Sequence, residues 1–280
     1  MGGAAERRAQ SLRLAFLLDG SFAAVCVELT HRGDRLVGAV EGDADAPVVN
    51  AQLTRMLGLD VDGHAWSRLG VDVPALGALQ RRWPGFFTAG FPSPWEAGLG
   101  GVLSQRASMA QANALRRQLA ASFGTRVGGI DVVPSPQQLL AVQSFPGIPA
   151  AKLHVLHGLA RAALDGALDA ETLRALPPEF ALARLQSLHG IGPWTAAHML
   201  IRGASTQDVL PVAEPRVRRA FAHVFSLPES DFERASEAWR PFRTWASILM
   251  MRALMRDAQW RVSPSRGAST GSSARRSAAL

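Results

Sequence analysis

Cysteine is nearly absent: Cys26 is the one thiol in 280 residues. A disulfide framework, a cysteine-rich zinc site and a four-cysteine iron–sulfur cluster are excluded by that count. Lysine is as scarce. Lys152 is the single lysine, and every other strongly basic side chain is arginine. A Schiff-base mechanism is thereby confined to Lys152 or the N-terminal amine. GC-rich coding accounts for the arginine bias, which also supplies planar, bidentate phosphate donors. No run of apolar residues approaches the ~18 that a membrane span needs. The best early stretch, Leu12 to Val27, is broken by Arg13 and Asp19. It makes a poor signal-peptide core. A reducing, cytoplasmic location away from membranes is the expectation.

What is present is an ordinary folding composition, 48% hydrophobic and 19% charged. The charge is unbalanced, with 30 Lys and Arg against 23 Asp and Glu, a net of +7. A basic surface of this kind suits a polyanion such as nucleic acid, although charge also serves solubility alone.

The chain divides by pattern. Residues 1–11 are small and polar and read as a mobile arm. LRLAFLL, AAVCVEL and LVGAVEG are strand-like runs, separated by Asp19-Gly20-Ser21 and by the turn HRGDR. PVVNAQLTRML and the segment from Val73 to Trp83 have helical spacing. Residues 12–85 therefore read as a small α+β domain. Ser93, Pro94 and Glu96 then form a helix-start signature in which Glu96 completes a capping box. From there to residue 262 the pattern is helical almost throughout, over 95–104, 107–123, 135–142, 149–164, 170–175, 179–187, 193–203, 214–223, 230–239 and 242–256. The Ser/Gly/Ala/Arg-rich tail, 263–280, reads as disordered and basic.

The most informative stretch is residues 179–221. A helix runs into Leu188-His189-Gly190-Ile191-Gly192, and Pro193 opens the next helix. Two glycines allow a tight hairpin with uncovered backbone N–H groups, which with the following helix make an anion site. The same turn also occurs for structural reasons alone.

The wider motif resembles the helix-hairpin-helix DNA glycosylase superfamily, in its bacterial 3-methyladenine DNA glycosylase II branch. It comprises Leu-x-Gly-Ile-Gly-Pro-Trp-Thr-Ala at 188–196 and an acid 22 residues after Gly192. The resemblance extends to Pro94-x-Glu96, Leu103 to Ser108, Phe145 to Lys152 and Trp239 to Ala246, and so covers nearly 95–252. The implied fold is an α+β N-terminal domain followed by a mostly α helix-hairpin-helix DNA glycosylase domain. The implied activity is hydrolytic removal of flipped, alkylated purines from double-stranded DNA by a monomer.

The resemblance places the family's catalytic aspartate at Glu214, where the carboxylate stands one methylene further out. Without the resemblance, Glu214 reads equally as an acid at a helix N-terminus; Asp208 is the fallback acid. Trp194 stands where lyase-active members carry lysine, so strand cleavage is not expected. The resemblance makes Trp194, His198 and Met251 the base pocket, although each also reads as ordinary packing. It makes Gln105, Arg106, Gly190, Gly192 and Thr195 the DNA contacts. It puts the main-chain carbonyls of Gln186, Leu188 and Ile191 around a structural Na+ or K+, with no other cofactor. The alternative is a non-catalytic DNA-binding relative, in which glutamate at 214 has reduced or abolished activity.

Overall fold

The computed structural model describes residues 4–8 and 11–262. The tail expected to be disordered lies outside the described residues. Four antiparallel strands, β1 (Ala4–Arg8), β2 (Ser11–Leu17), β3 (Ala24–Arg32) and β4 (Arg35–Glu41), form a sheet in that order. Part of the segment expected to be a mobile arm is thus a strand, with Ala4 opposite Ala15 and Arg8 opposite Ser11. The edge of β2 offers unpaired backbone groups, which adjacent chain satisfies.

The run LRLAFLL does not alternate, because both faces of the sheet are covered. Leu14, Phe16, Val25 and Val27 pack with Val49, Leu53 and Met56 of α1 (Ala46–Leu57). Ala15, Leu17 and Cys26 face the other way, into the main helical core. Gln52 of α1 ties the layers together, its Nε2 donating to the carbonyls of Leu17 (2.9 Å) and Pro92 (3.1 Å).

The remaining helices are α2 (Gly63–Asp72), α3 (Pro74–Arg82), α4 (Pro94–Ser104), α5 (Met109–Phe123), α6 (Pro136–Leu140), α7 (Ala150–Leu164), α8 (Ala170–Ala175), α9 (Pro178–Gln186), α10 (Pro193–His198), α11 (Pro215–Phe225), α12 (Phe232–Ser236) and α13 (Arg243–Val262). The helix expected over 193–203 is α10 followed by a π-helical turn at Met199–Gly203. That widened turn brings Gly203 against α4, where a Cβ would stand 2.5 Å from the Pro94 Cα. A hairpin of β5 (Thr125–Val127) and β6 (Ile130–Val132) follows α5 and turns on Gly128 and Gly129, both at positive φ.

Two cores hold the helices. In one, Leu99, Val102 and Leu103 of α4 meet Leu153, Leu156 and Leu159 of α7 and Leu185 of α9. In the other, Trp66 and Leu69 of α2 and Leu76 and Leu79 of α3 pack with Val217 and Phe221 of α11 and Trp245 and Leu249 of α13. The Trp66 and Trp245 rings meet edge-on at 5.5 Å. Helices α2 and α3, grouped by sequence with the N-terminal domain, therefore complete the C-terminal core. Periodicity reveals that a helix has an apolar face, not which face it will meet.

The start of α4 departs from expectation in one detail. The Ser93 hydroxyl accepts from the Glu96 N–H (3.1 Å), as a cap should. The Glu96 carboxylate does not return to the cap. It is buried and accepts from the Leu17 N–H of β2 (3.3 Å). Burial pushes its pKa from 4.5 to about 7, against the lowering effects of the Leu17 hydrogen bond and of Arg116. A folded-state value above the unfolded one favours folding while the group is protonated. That stability is present below pH 4.5 and is lost as pH rises toward 7. The loss is on the order of 3 kcal/mol. Glu96→Gln keeps an acceptor for Leu17 and removes the charge. It is expected to match the natural protein near pH 4 and exceed its stability at pH 8 by up to that amount. Urea unfolding across this range checks it; parallel pH profiles would contradict it.

Candidate active site and DNA interface

The hairpin at 188–192 connects α9 to α10 and belongs to the first core through Ile191, which is 4% exposed. Gly190 has φ +77°, a conformation that glycine adopts without strain. Val155 of α7 lies directly beneath it, leaving no room for a side chain. Gly192 caps α10 in open space, where a Cβ would meet nothing within 4 Å. Both glycines are exposed, so the backbone of the turn faces solvent.

The loop after α4 is fastened to this hairpin. Gln105 Nε2 donates to the Gly190 carbonyl (3.1 Å) and approaches Thr195 Oγ1 (3.5 Å). Lys152 Nζ donates to the carbonyls of Leu103 (3.2 Å) and Gln105 (2.8 Å), closing the end of α4. Partial burial and the nearby Arg106 charge lower the pKa of that ammonium. Arg106 is exposed at φ +53°, a conformation that costs a non-glycine residue energy and that clusters at functional sites. Thr195 was grouped with the DNA contacts, but its side chain is 3% exposed and packs inside the fold against Gln105 and Gly101.

Trp194 and His198 stand one turn apart on α10, and their rings stack at 5.1 Å and 7°. Phe91 meets the same imidazole edge-on at 5.3 Å. Burial, aided by the Arg202 charge, holds His198 at about 4, so the imidazole is neutral at neutral pH. His198 therefore backs the tryptophan as an uncharged ring. Phe91 and Arg202 escape sequence reading. Arg202 sits one turn beyond His198, on the same strip of helix, which was the available signal.

Glu214 is the N-cap of α11 and belongs to the second core's side of the molecule. Trp194 Nε1 donates to its Oε2 (2.9 Å), joining the two sides. Its Oε1 accepts from the Arg216 N–H (3.1 Å) and Nε (2.8 Å), and Arg216 Nη2 donates to Oε2 (2.9 Å). The Arg216 hydrogen bonds, with that of Trp194, hold the carboxyl down to about 2 despite partial burial. It is an anion over the whole working pH range.

Asp208, the fallback acid, is committed elsewhere. Arg243 Nε (2.8 Å) and Arg240 Nη1 (2.7 Å) donate to its two oxygens. Met251 lies on α13, partly buried against the second core. Trp194, His198 and Glu214 are brought together by direct contacts, as are Gln105, Gly190 and Thr195. No hydrogen bond or ring contact among the described residues joins Met251 to either group.

The hairpin carbonyls of Gln186, Leu188 and Ile191 are neutral, hard oxygens at the end of α9. One of them, Leu188, already accepts from the Ile191 N–H (3.1 Å). Such donors suit an alkali cation. No group of three histidine, cysteine, aspartate or glutamate side chains among the described residues could hold a metal. No helix among them is long and apolar enough to cross a membrane.

An open glycine hairpin thus lies between two helices, and a carboxylate meets the tryptophan that follows it. No protein-family model matches the chain. It is 30% identical over 183 residues to DNA-3-methyladenine glycosylase 2 of Escherichia coli, covering 62% of each. It is also 30% identical over 236 residues to the Mycobacterium tuberculosis probable bifunctional transcriptional activator/DNA repair enzyme AlkA, covering 79% of this chain and 46% of that one. Its fold is that of a 3-methyladenine DNA-glycosylase from Archaeoglobus fulgidus. The TM-score is 0.67 at 22% identity, over 92% of this chain and 90% of that one. The chain spans less than two thirds of the length of the curated relatives it matches. By these likenesses it is similar in sequence to DNA-3-methyladenine glycosylases and in fold to a 3-methyladenine DNA-glycosylase.

Proposed function

We propose that the protein is a monofunctional DNA glycosylase that hydrolyses the N-glycosidic bond of alkylated purines of the 3-methyladenine type. Its substrate is duplex DNA, from which the damaged base is flipped. The observation that carries this reading is the ionised Glu214, hydrogen-bonded to Trp194 beside the open hairpin. Names and identities of the relatives support it.

The chemistry follows from the parts. The exposed Gly190–Gly192 backbone anchors a phosphate, and Arg106 enters the stack near the extruded base. The base lies against Trp194, whose π-face attracts an electron-poor, alkylated ring. As the C1′–N bond breaks, its electron pair leaves with the base and positive charge develops on the sugar. Glu214 stabilises that charge, and water attacks C1′ and loses a proton. The main-chain carbonyls of Gln186, Leu188 and Ile191 would hold a Na+ or K+ ion, which would supply positive charge beside a bound phosphate; no other cofactor is expected. The net charge of +7 suits the polyanion. The protein works as a monomer in the cytoplasm.

Hydrolysis without strand cleavage follows from the lysine inventory. Lys152 is hydrogen-bonded to two carbonyls at the end of α4. The position after Pro193 is a tryptophan, so no amine is set to form an imine. Borohydride treatment on an abasic-site duplex should give no covalent adduct; a trapped adduct would refute this.

The direct test is release of 3-methyladenine and 7-methylguanine from alkylated duplex DNA. The rival reading, a DNA-binding relative without catalysis, is favoured by one fact: Arg216 occupies the Glu214 carboxylate. Salt-dependent binding with no base released would select it.

A further inference from the structure

The carboxylate that should meet a sugar cation is already occupied by one. Arg216 grips both oxygens of Glu214, through Nε on Oε1 and Nη2 on Oε2. Such a pair is neutral, and most of the carboxylate's attraction for another cation is cancelled by the guanidinium. The partners are unequally placed. The Glu214 side chain is 12% exposed and the Arg216 side chain 59%. Trp194 holds Oε2 independently, so the carboxylate has an anchor that does not depend on the arginine. Arg216 lies in the first turn of α11 with most of its side chain in solvent. Its neighbours are less free to respond: Arg218 is paired with Glu233, and Arg240 and Arg243 with Asp208.

We propose that Arg216 is a latch on Glu214 that a DNA phosphate opens. On binding, the guanidinium exchanges the carboxylate for a backbone phosphate, and the carboxylate left on Trp194 faces the sugar uncompensated. Phosphate is a geometrically suitable partner, since it accepts the same bidentate fork. The exchange also releases a counterion from the DNA, which favours it at low salt. The active anion would thus exist only where a nucleic-acid backbone is in place. This inference rests on Glu214 being the acting carboxylate.

The test uses the full chain, the variant Arg216→Gln and two duplexes that are not turned over. One carries a neutral tetrahydrofuran in place of a deoxyribose, and the other a protonated pyrrolidine. For the tetrahydrofuran duplex, the dependence of log Kd on log salt should weaken in Arg216→Gln by about one phosphate contact. Equal slopes would overturn the proposal. For the pyrrolidine duplex, the natural protein should bind about tenfold tighter than to tetrahydrofuran, the scale of one charge-assisted contact. Arg216→Gln should keep that preference. A preference that appears only in Arg216→Gln means that the arginine stays on Glu214 in the complex, which also overturns the proposal. If the slope changes and neither protein prefers the cation, the exchange of Arg216 stands and the catalytic reading of Glu214 fails. Arg216 is exposed, so the variant should fold; Arg216→Lys, which keeps the charge, should restore the salt slope.

Discussion

Glu214→Gln is expected to lower base release by about a hundred- to a thousandfold while leaving duplex binding within a few fold. Glutamine keeps the length of the side chain and an oxygen for Trp194 Nε1. It loses the negative charge, the one property that the developing sugar cation requires. Single-turnover release from alkylated duplex DNA checks the rate, and binding to a tetrahydrofuran duplex checks that the surface is intact. An unaltered rate in Glu214→Gln would remove the carboxylate from the mechanism. Glu214→Asp is the informative companion. Glutamate meets Trp194 at 2.9 Å. A side chain one methylene shorter draws the carboxylate back by more than an ångström, and misplacement on that scale costs about a hundredfold. If the natural protein releases nothing and Glu214→Asp does, the added methylene marks a relative that has left catalysis behind.

Gly190→Ala is expected to cost roughly 2–4 kcal/mol of stability, combining left-handed strain with overpacking. Gly190 has φ +77°, and an added Cβ would stand 2.4 Å from Val155 Cγ2 and 2.8 Å from its Cγ1. Relief requires the hairpin to lift from α7. The Gly190 carbonyl carries Gln105, so the loop bearing Arg106 would shift with it. Urea unfolding should show the loss, and duplex affinity should fall with it. Gly192→Ala provides the contrast, because its Cβ would enter open space. That variant should unfold like the natural protein and lose affinity only where a phosphate approaches the backbone. Equal stability of Gly190→Ala and the natural protein would contradict the packing argument.

Much of this molecule is legible in its sequence where the signal is local. The strands β2 to β4, the Ser93 cap and the glycine hairpin each announce themselves within a few residues. The hairpin of β5 and β6 corrects the reading of 86–262 as all helical; Val127-Gly128-Gly129-Ile130, a turn signal between β-branched residues, was there to be read. Helix α2 was hidden by Gly63 and Gly70, although Asp62 caps it through the His64 and Ala65 N–H groups, both at 2.9 Å. What local pattern could not supply was the partner of each surface. Glu96 has the right spacing for a capping box, yet its carboxylate goes to a strand 79 residues earlier. Arg216 is two residues from Glu214, a spacing that points side chains apart within a helix. Glu214 lies just outside α11 in an extended conformation, which lets the arginine fold back onto it. Sequence could name the two residues but not their embrace.

The placement of α2 and α3 bears on how this architecture can be cut and joined. Glu214 sits at the head of α11, and the core that α11 shares includes Trp66, Leu69, Leu76 and Leu79 from the first third of the chain. The helix that carries Trp194, its partner, is seated on the other core through Ala196 and Ala197. The helical region is therefore not a cassette that can be excised at residue 85 and grafted elsewhere. A fragment starting there would carry Trp194 and Glu214 and lack part of the core that α11 packs into. Swaps between relatives should place their junctions before α2, so that the supporting wall travels with the site it supports.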